Sequence, residues 1–158
     1  IRFLRIDKRL DDRDRKILTG GPGSPSEPLV VAFEDCPTYT EDIKSSRTIN
    51  RTILPEGLVP RFCLGSVSTS GPDLVGEHRH PMLDQLFLGL EGCHCTCRAD
   101  EEETCLLEDM LIHIPLGSRH SVTVPEGRIL NYLWLDFFLT LEGESYIREK
   151  HRTVGRDT

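Results

Sequence analysis

From residue 48 onward the chain is a succession of short apolar and β-branched runs, each closed by a turn signal. The runs fall at 51–54, 61–69, 77–80, 85–90, 93–98, 104–107, 110–114, 120–124 and 129–138. Between them stand Pro55-Glu56-Gly57, Ser70-Gly71-Pro72-Asp73, Glu91-Gly92, the acidic stretch 99–103, Pro115-Leu116-Gly117 and Pro125-Glu126-Gly127. Strand-length runs with turn signals at roughly 8–12-residue spacing point to a sandwich or a barrel. The glycines at 57, 71, 92, 117 and 127 sit where tight turns ask for a positive φ. Only 142–150 carries a moderate helix pattern.

The ends are read differently. Residues 1–28 form an arm: 7–16 is densely charged, and Gly20-Gly21-Pro22-Gly23-Ser24-Pro25 is turn-rich. Leu29-Val30-Val31-Ala32-Phe33 reads as a strand, and 36–46 as loop or a short helix. The expected organisation is therefore an N-terminal arm, 1–28, and one β domain with a C-terminal extension, 29–158. A chain of 158 residues can bury a core without disulfide staples.

Charge and composition narrow the partners. A formal charge of −7 argues against nucleic-acid binding, which needs clustered Lys and Arg. No apolar run approaches the roughly 20 residues of a membrane helix, and the charged first residues are unlike a signal peptide. A cytoplasmic protein is expected. Six cysteines, at 36, 63, 93, 95, 97 and 105, invite a disulfide reading. Cys93, Cys95 and Cys97 alternate, so on a strand they share one face. They read as small buried hydrophobes, with a sulfur-rich metal site as the alternative; C-x-C-x-C differs from the C-x2-C pairs of structural zinc.

The chemistry-bearing residues cluster in the centre. Gly76-Glu77-His78-Arg79-His80 puts two imidazoles at i and i+2, on one face of a strand. Gln85 opens the next strand, and His120 follows Pro115-Leu116-Gly117-Ser118-Arg119. Asp84 could replace Gln85 as oxygen donor if the register slips by one. His94 and His113 lie on neighbouring strands, each as a core or surface histidine or as a partner or proton shuttle for the site. Tyr132, Trp134 and Asp136 alternate on the last strand and line a pocket if that face is inward; otherwise Leu133, Leu135 and Phe137 do.

These residues resemble the two motifs of the cupin superfamily. His78-x-His80, four residues, Gln85, six residues and Gly92 is similar to the first motif, and Pro115-x-Gly117-x-x-His120 to the second. The likeness spans 76–124. Two positions depart from it: Gln85 stands where a Glu is usual, and Asp109 stands in place of a Gly six positions before the Pro. H-x-H-x4-Q with a distal His also occurs in cupins similar to small metal proteins that open unsaturated uronate sugars. The resemblance implies an all-β jelly-roll barrel and a homodimer, with the arm as a segment exchanged between subunits.

It also implies one divalent transition-metal ion per chain, held by His78, His80, Gln85 and His120. Imidazole ligands do not distinguish Fe, Mn, Ni, Zn and Cu. The expected function is a metal-dependent enzyme on a small polar organic molecule: Lewis-acid isomerisation, ring opening or lyase chemistry on a sugar acid or similar hydroxy-carbonyl compound. A cupin dioxygenase and a non-catalytic small-molecule-binding or sensor cupin are the alternatives.

Overall fold

The computed structural model describes residues 4–20 and 28–150. Most of the turn-rich stretch 20–25 and residues 151–158 of the C-terminal extension lie outside the described residues.

The chain runs α1 (Asp12–Gly20), a 3-10 turn (Phe33–Asp35), β1 (Thr38–Tyr39), β2 (Ile49–Val59), β3 (Phe62–Ser70), β4 (Asp73–Arg79), β5 (Leu83–Gly89), β6 (His94–Ala99), β7 (Glu102–Leu107), β8 (Leu111–Ile114), β9 (Arg119–Val124), β10 (Ile129–Phe138) and α2 (Leu141–Lys150). The strands form two antiparallel sheets, β1-β2-β3-β10-β5-β8 and β4-β9-β6-β7. This is an all-β jelly roll. The sheets face each other without closing into a hydrogen-bonded barrel; β1 and β8 edge the six-stranded sheet, β4 and β7 the four-stranded one.

The period-2 pattern packs the interior. Val67, Phe87, Leu130 and Tyr132 from the six-stranded sheet meet Val75, Leu106, Val122 and Val124 from the four-stranded one. The alternation resolves two parities. Cys93, Cys95 and Cys97 all face the core, and so do Tyr132, Trp134 and Asp136. All six cysteines are free thiols, and only Cys105 is exposed.

Three expectations need correction. Leu29-Val30-Val31 is exposed and joins no strand, because no described strand lies alongside to pair it; Val30 is 91% exposed. Pro55-Glu56-Gly57 is no turn: it lies inside β2, where the register with β3 shifts between Leu54 and Val59. Gly57 has φ +87, and the chain reverses only at Pro60-Arg61, with Arg61 at φ +57. The carboxylate of Glu144, buried on α2, accepts from Gly57 N at 2.6 Å and Arg61 N at 3.0 Å. It thereby satisfies amides that the shifted ladder leaves over. Finally, part of the charged arm is helical. Asp14 of α1 is fully buried and takes two hydrogen bonds from Arg61, at 2.9 and 2.6 Å, and one from Lys8 at 3.1 Å. The guanidinium holds its carboxyl well below the usual carboxylate range.

Candidate metal centre

His78 of β4 and His80 just past its end face the interior because that strand carries a bulge. Val75 pairs with Val122 and is buried, while His78 pairs with His120; three steps on β4 match two on β9. Strict alternation from Val75 would turn His78 outward. The extra residue, at Gly76-Glu77, resets the face. Gly76 donates its N–H to Ile43 O at 2.7 Å, and a Cβ there would press on that same oxygen. Beyond the bulge, His78 and His80 share the inner face.

Three imidazoles converge. The ring centroids of His78 and His120 are 4.2 Å apart, those of His78 and His80 4.9 Å, and those of His80 and His120 5.4 Å. One ring nitrogen from each lies within 4.8 Å of the others, a spacing that one metal ion can bridge. Backbone carbonyls orient two of the rings. His78 Nδ1 lies 2.8 Å from Gly76 O and His120 Nδ1 lies 3.2 Å from Ser118 O. A carbonyl only accepts, so both Nδ1 atoms carry hydrogen, and in the neutral ring Nε2 then presents the lone pair. His120 is 2% exposed, and its pKa falls to about 4, chiefly through burial and secondly through His78 beside it. The ring is therefore neutral and able to act as a ligand at neutral pH.

The fourth candidate donor comes from the opposite sheet. Gln85 faces inward from β5 and lines one cleft with His80 and His120. Its Nε2 donates to Asp136 Oδ1 at 2.7 Å. Its Oε1 and His120 Nε2 are buried without a hydrogen-bond partner. Buried polar atoms are almost always paired. Two lone pairs left over in one cleft, beside two more imidazoles, are the donor set a divalent transition metal takes. The residues present fit the ion.

The other candidates lie elsewhere. Asp84 points to the outer face, where its Oδ1 meets His113 Nε2 at 3.0 Å, so neither reaches the centre. His94 also faces away from the core, on the opposite side of β6 from Cys95. Tyr132 faces inward and packs on Phe87, ring to ring at 4.6 Å. It sits four residues along β10 from Asp136, about 13 Å at strand rise, and burial drives its phenol well above the ordinary value. The partner of Gln85, Asp136, was half legible in the sequence: its parity with Tyr132 was visible, its pairing with Gln85 was not.

A comparison with solved structures places this architecture. A predicted oxalate decarboxylase of Thermotoga maritima aligns with TM-score 0.60 at 13% identity, covering 70% of this chain and all (100%) of that one. The polyketide cyclase RemF of Streptomyces resistomycificus gives 0.58 at 18% identity, covering 78% and 94%. A cupin-2 domain protein of Rhodospirillum rubrum gives 0.55 at 16%, covering 73% and 81%. The chain has the cupin fold. Neither protein-family models nor curated proteins give a match.

Within this cupin fold both departures from the motifs have a physical reading. Asp109 takes φ +61 between β7 and β8, the left-handed conformation that Gly favours and Asp tolerates. Gln85 keeps the oxygen donor and drops its charge. The cleft over the imidazoles is small, about 140 Å³. It adjoins, through Ile114, Pro115 and Ser118, a groove of about 1140 Å³ that is open to solvent. That groove runs between the edge strands β7 and β8, with Asp100, Glu101, Glu102 and Glu103 along one side.

Proposed function

We propose that this chain is a metal-dependent cupin enzyme that acts on a small polar hydroxy-carbonyl compound without a redox step. The observation that carries the reading is the pair of buried, unpartnered donors, Gln85 Oε1 and His120 Nε2, beside the imidazoles of His78 and His80. Three neutral imidazoles and an amide oxygen add no charge, so a bound divalent ion would retain its full charge to polarise a carbonyl. Gly76 O and Ser118 O fix the imidazoles, Leu83 and Ile114 keep the cleft apolar, and the groove beyond admits a small molecule. The acidic side of that groove favours a neutral or cationic substrate over a free sugar acid, since like charge at a mouth repels.

The test is metal content followed by turnover. Purified without a histidine tag, the protein should carry about one transition-metal ion per chain, lost in the His78→Ala/His80→Ala variant. A panel of neutral hydroxy-ketones and sugar acids is then followed by NMR beside an oxygen electrode. Isomerised or cleaved product without oxygen uptake supports the reading. Oxygen consumption would move it to a dioxygenase. No metal uptake from any divalent ion would leave a non-catalytic binding module. We also propose a homodimer of a cytoplasmic protein. The exposed apolar run Leu29-Val30-Val31 supports pairing, and the free thiols suit a reducing compartment. Light scattering of wild type and Val30→Glu checks the former: a monomeric wild type would sink it.

A further inference from the structure

Gln85 and Asp136 are partners twice over. They are directly opposed across the β5–β10 ladder, and both side chains face the interior, 7% and 8% exposed. Gln85 Nε2 meets Asp136 Oδ1 at 2.7 Å, inside the range of a charge-assisted hydrogen bond. An amide side chain has two nearly isosteric orientations, and its neighbours decide between them. A carboxylate accepts and does not donate, so it holds Nε2 on its own side and turns Oε1 the other way. Oε1 is the buried atom with no partner, in the cleft with His80 and His120.

We propose that Asp136 is the positioning residue of the metal centre. It locks Gln85 as an oxygen donor, and it returns the negative charge that a Glu ligand would have carried, one hydrogen bond further from the ion. The pair is a carboxylate ligand split in two: the neutral oxygen points inward and the charge stands behind it. Residues in this outer position commonly govern metal affinity by about 10–100-fold. The inference rests on the metal-centre reading above.

The experiment is titration of metal-free protein with Zn²⁺ and Mn²⁺ by calorimetry, for wild type, Asp136→Asn, Gln85→Glu and Gln85→Glu/Asp136→Asn. In Asp136→Asn the lock and the charge are lost together, and affinity should fall about 10-fold or more. Gln85→Glu alone sets two carboxylates against each other and should also bind more weakly than wild type. The double variant exchanges the roles: a carboxylate faces the cleft, and an amide N–H at position 136 steadies it. It should recover to within about threefold of wild type. A residue that only held the fold together would give no such recovery. Wild-type affinity in Asp136→Asn, or a double variant no tighter than the better single one, overturns the proposal while leaving the metal centre standing. A wild type that binds no metal overturns both. Should Asp136→Asn not fold, Gln85→Glu is set against the double variant: tighter binding in the double supports the proposal, equal or weaker binding refutes it.

Discussion

His120 should make the metal-free protein lose stability in mild acid. Burial, with His78 beside it, lowers its pKa from 6.5 to about 4. A drop of roughly 2.5 units at about 1.4 kcal/mol each corresponds to about 3 kcal/mol. The sign follows from which state takes up the proton. Below pH 6.5 the unfolded chain protonates this imidazole and the folded chain does not, so each step down in pH favours unfolding. The loss begins near pH 6.5 and is complete near pH 4. Asp14 and Asp73 are also shifted, but downward from 3.8, so what they contribute is lost only at lower pH. The window from 6.5 to 4.5 is thus dominated by the histidine site. Urea unfolding of metal-stripped protein should show its midpoint falling by about 1–2 M across it, for an m-value of about 2 kcal/mol/M. His120→Gln should flatten the profile. A wild-type midpoint constant to about 0.2 M, or an unchanged slope in His120→Gln, would refute the reasoning.

Two further outcomes are expected. Deleting Glu77 converts three steps on β4 into two, so His78 should still face His120 and metal uptake should stay within about threefold of wild type; deleting Arg79 puts His78 and His80 on opposite faces and should abolish uptake. Equal losses in the two deletions, read by metal analysis, would dismiss the bulge as the device that aims the ring. Arg61→Leu leaves the fully buried Asp14 carboxylate with Lys8 as its one cationic partner, beside the Asp11 N–H, at a cost of about 3 kcal/mol; hydrogen exchange should quicken across 12–19 first, and unchanged protection there would show that α1 does not depend on the ion pair.

The strands and the histidines were legible because both are local. Turn residues cut the chain, and a two-residue period places His78 and His80 on one face whatever the rest does. What was illegible depended on distant partners. Pro55-Glu56-Gly57 carries the chemistry of a turn, but the same chemistry serves a shifted strand, and only Glu144, far along the chain, shows which it is. Leu29-Val30-Val31 has strand composition and no described strand beside it. The charges of 7–16 read as a solvated arm, since nothing near them announces that Arg61 will bury Asp14. The parity of β10 was open for the same reason: either face is apolar enough, and the ladder that sets Asp136 against Gln85 decides it.

That ladder also explains why the site needs the whole fold. The imidazoles project from β4, its end and β9, in the four-stranded sheet, and the amide with its carboxylate from β5 and β10, in the six-stranded one. Neither sheet alone holds four donors. An ion gripped by both would therefore tie the sheets together beside the seam where β7 and β8 leave them unjoined. Because only the packed sandwich assembles the donors, binding there adds directly to the stability of the folded state. The cleft is narrow for the same reason. Leu83, Ile114 and Pro115 line it beside His80 and His120 from one side and Gln85 from the other. A substrate entering from the groove would pass the acidic residues 100–103. The charge that would select it and the charge that would tune the ion then come from separate elements, the β6–β7 hairpin and β10, so the acidic hairpin is open to mutation without touching Asp136 or a ligand.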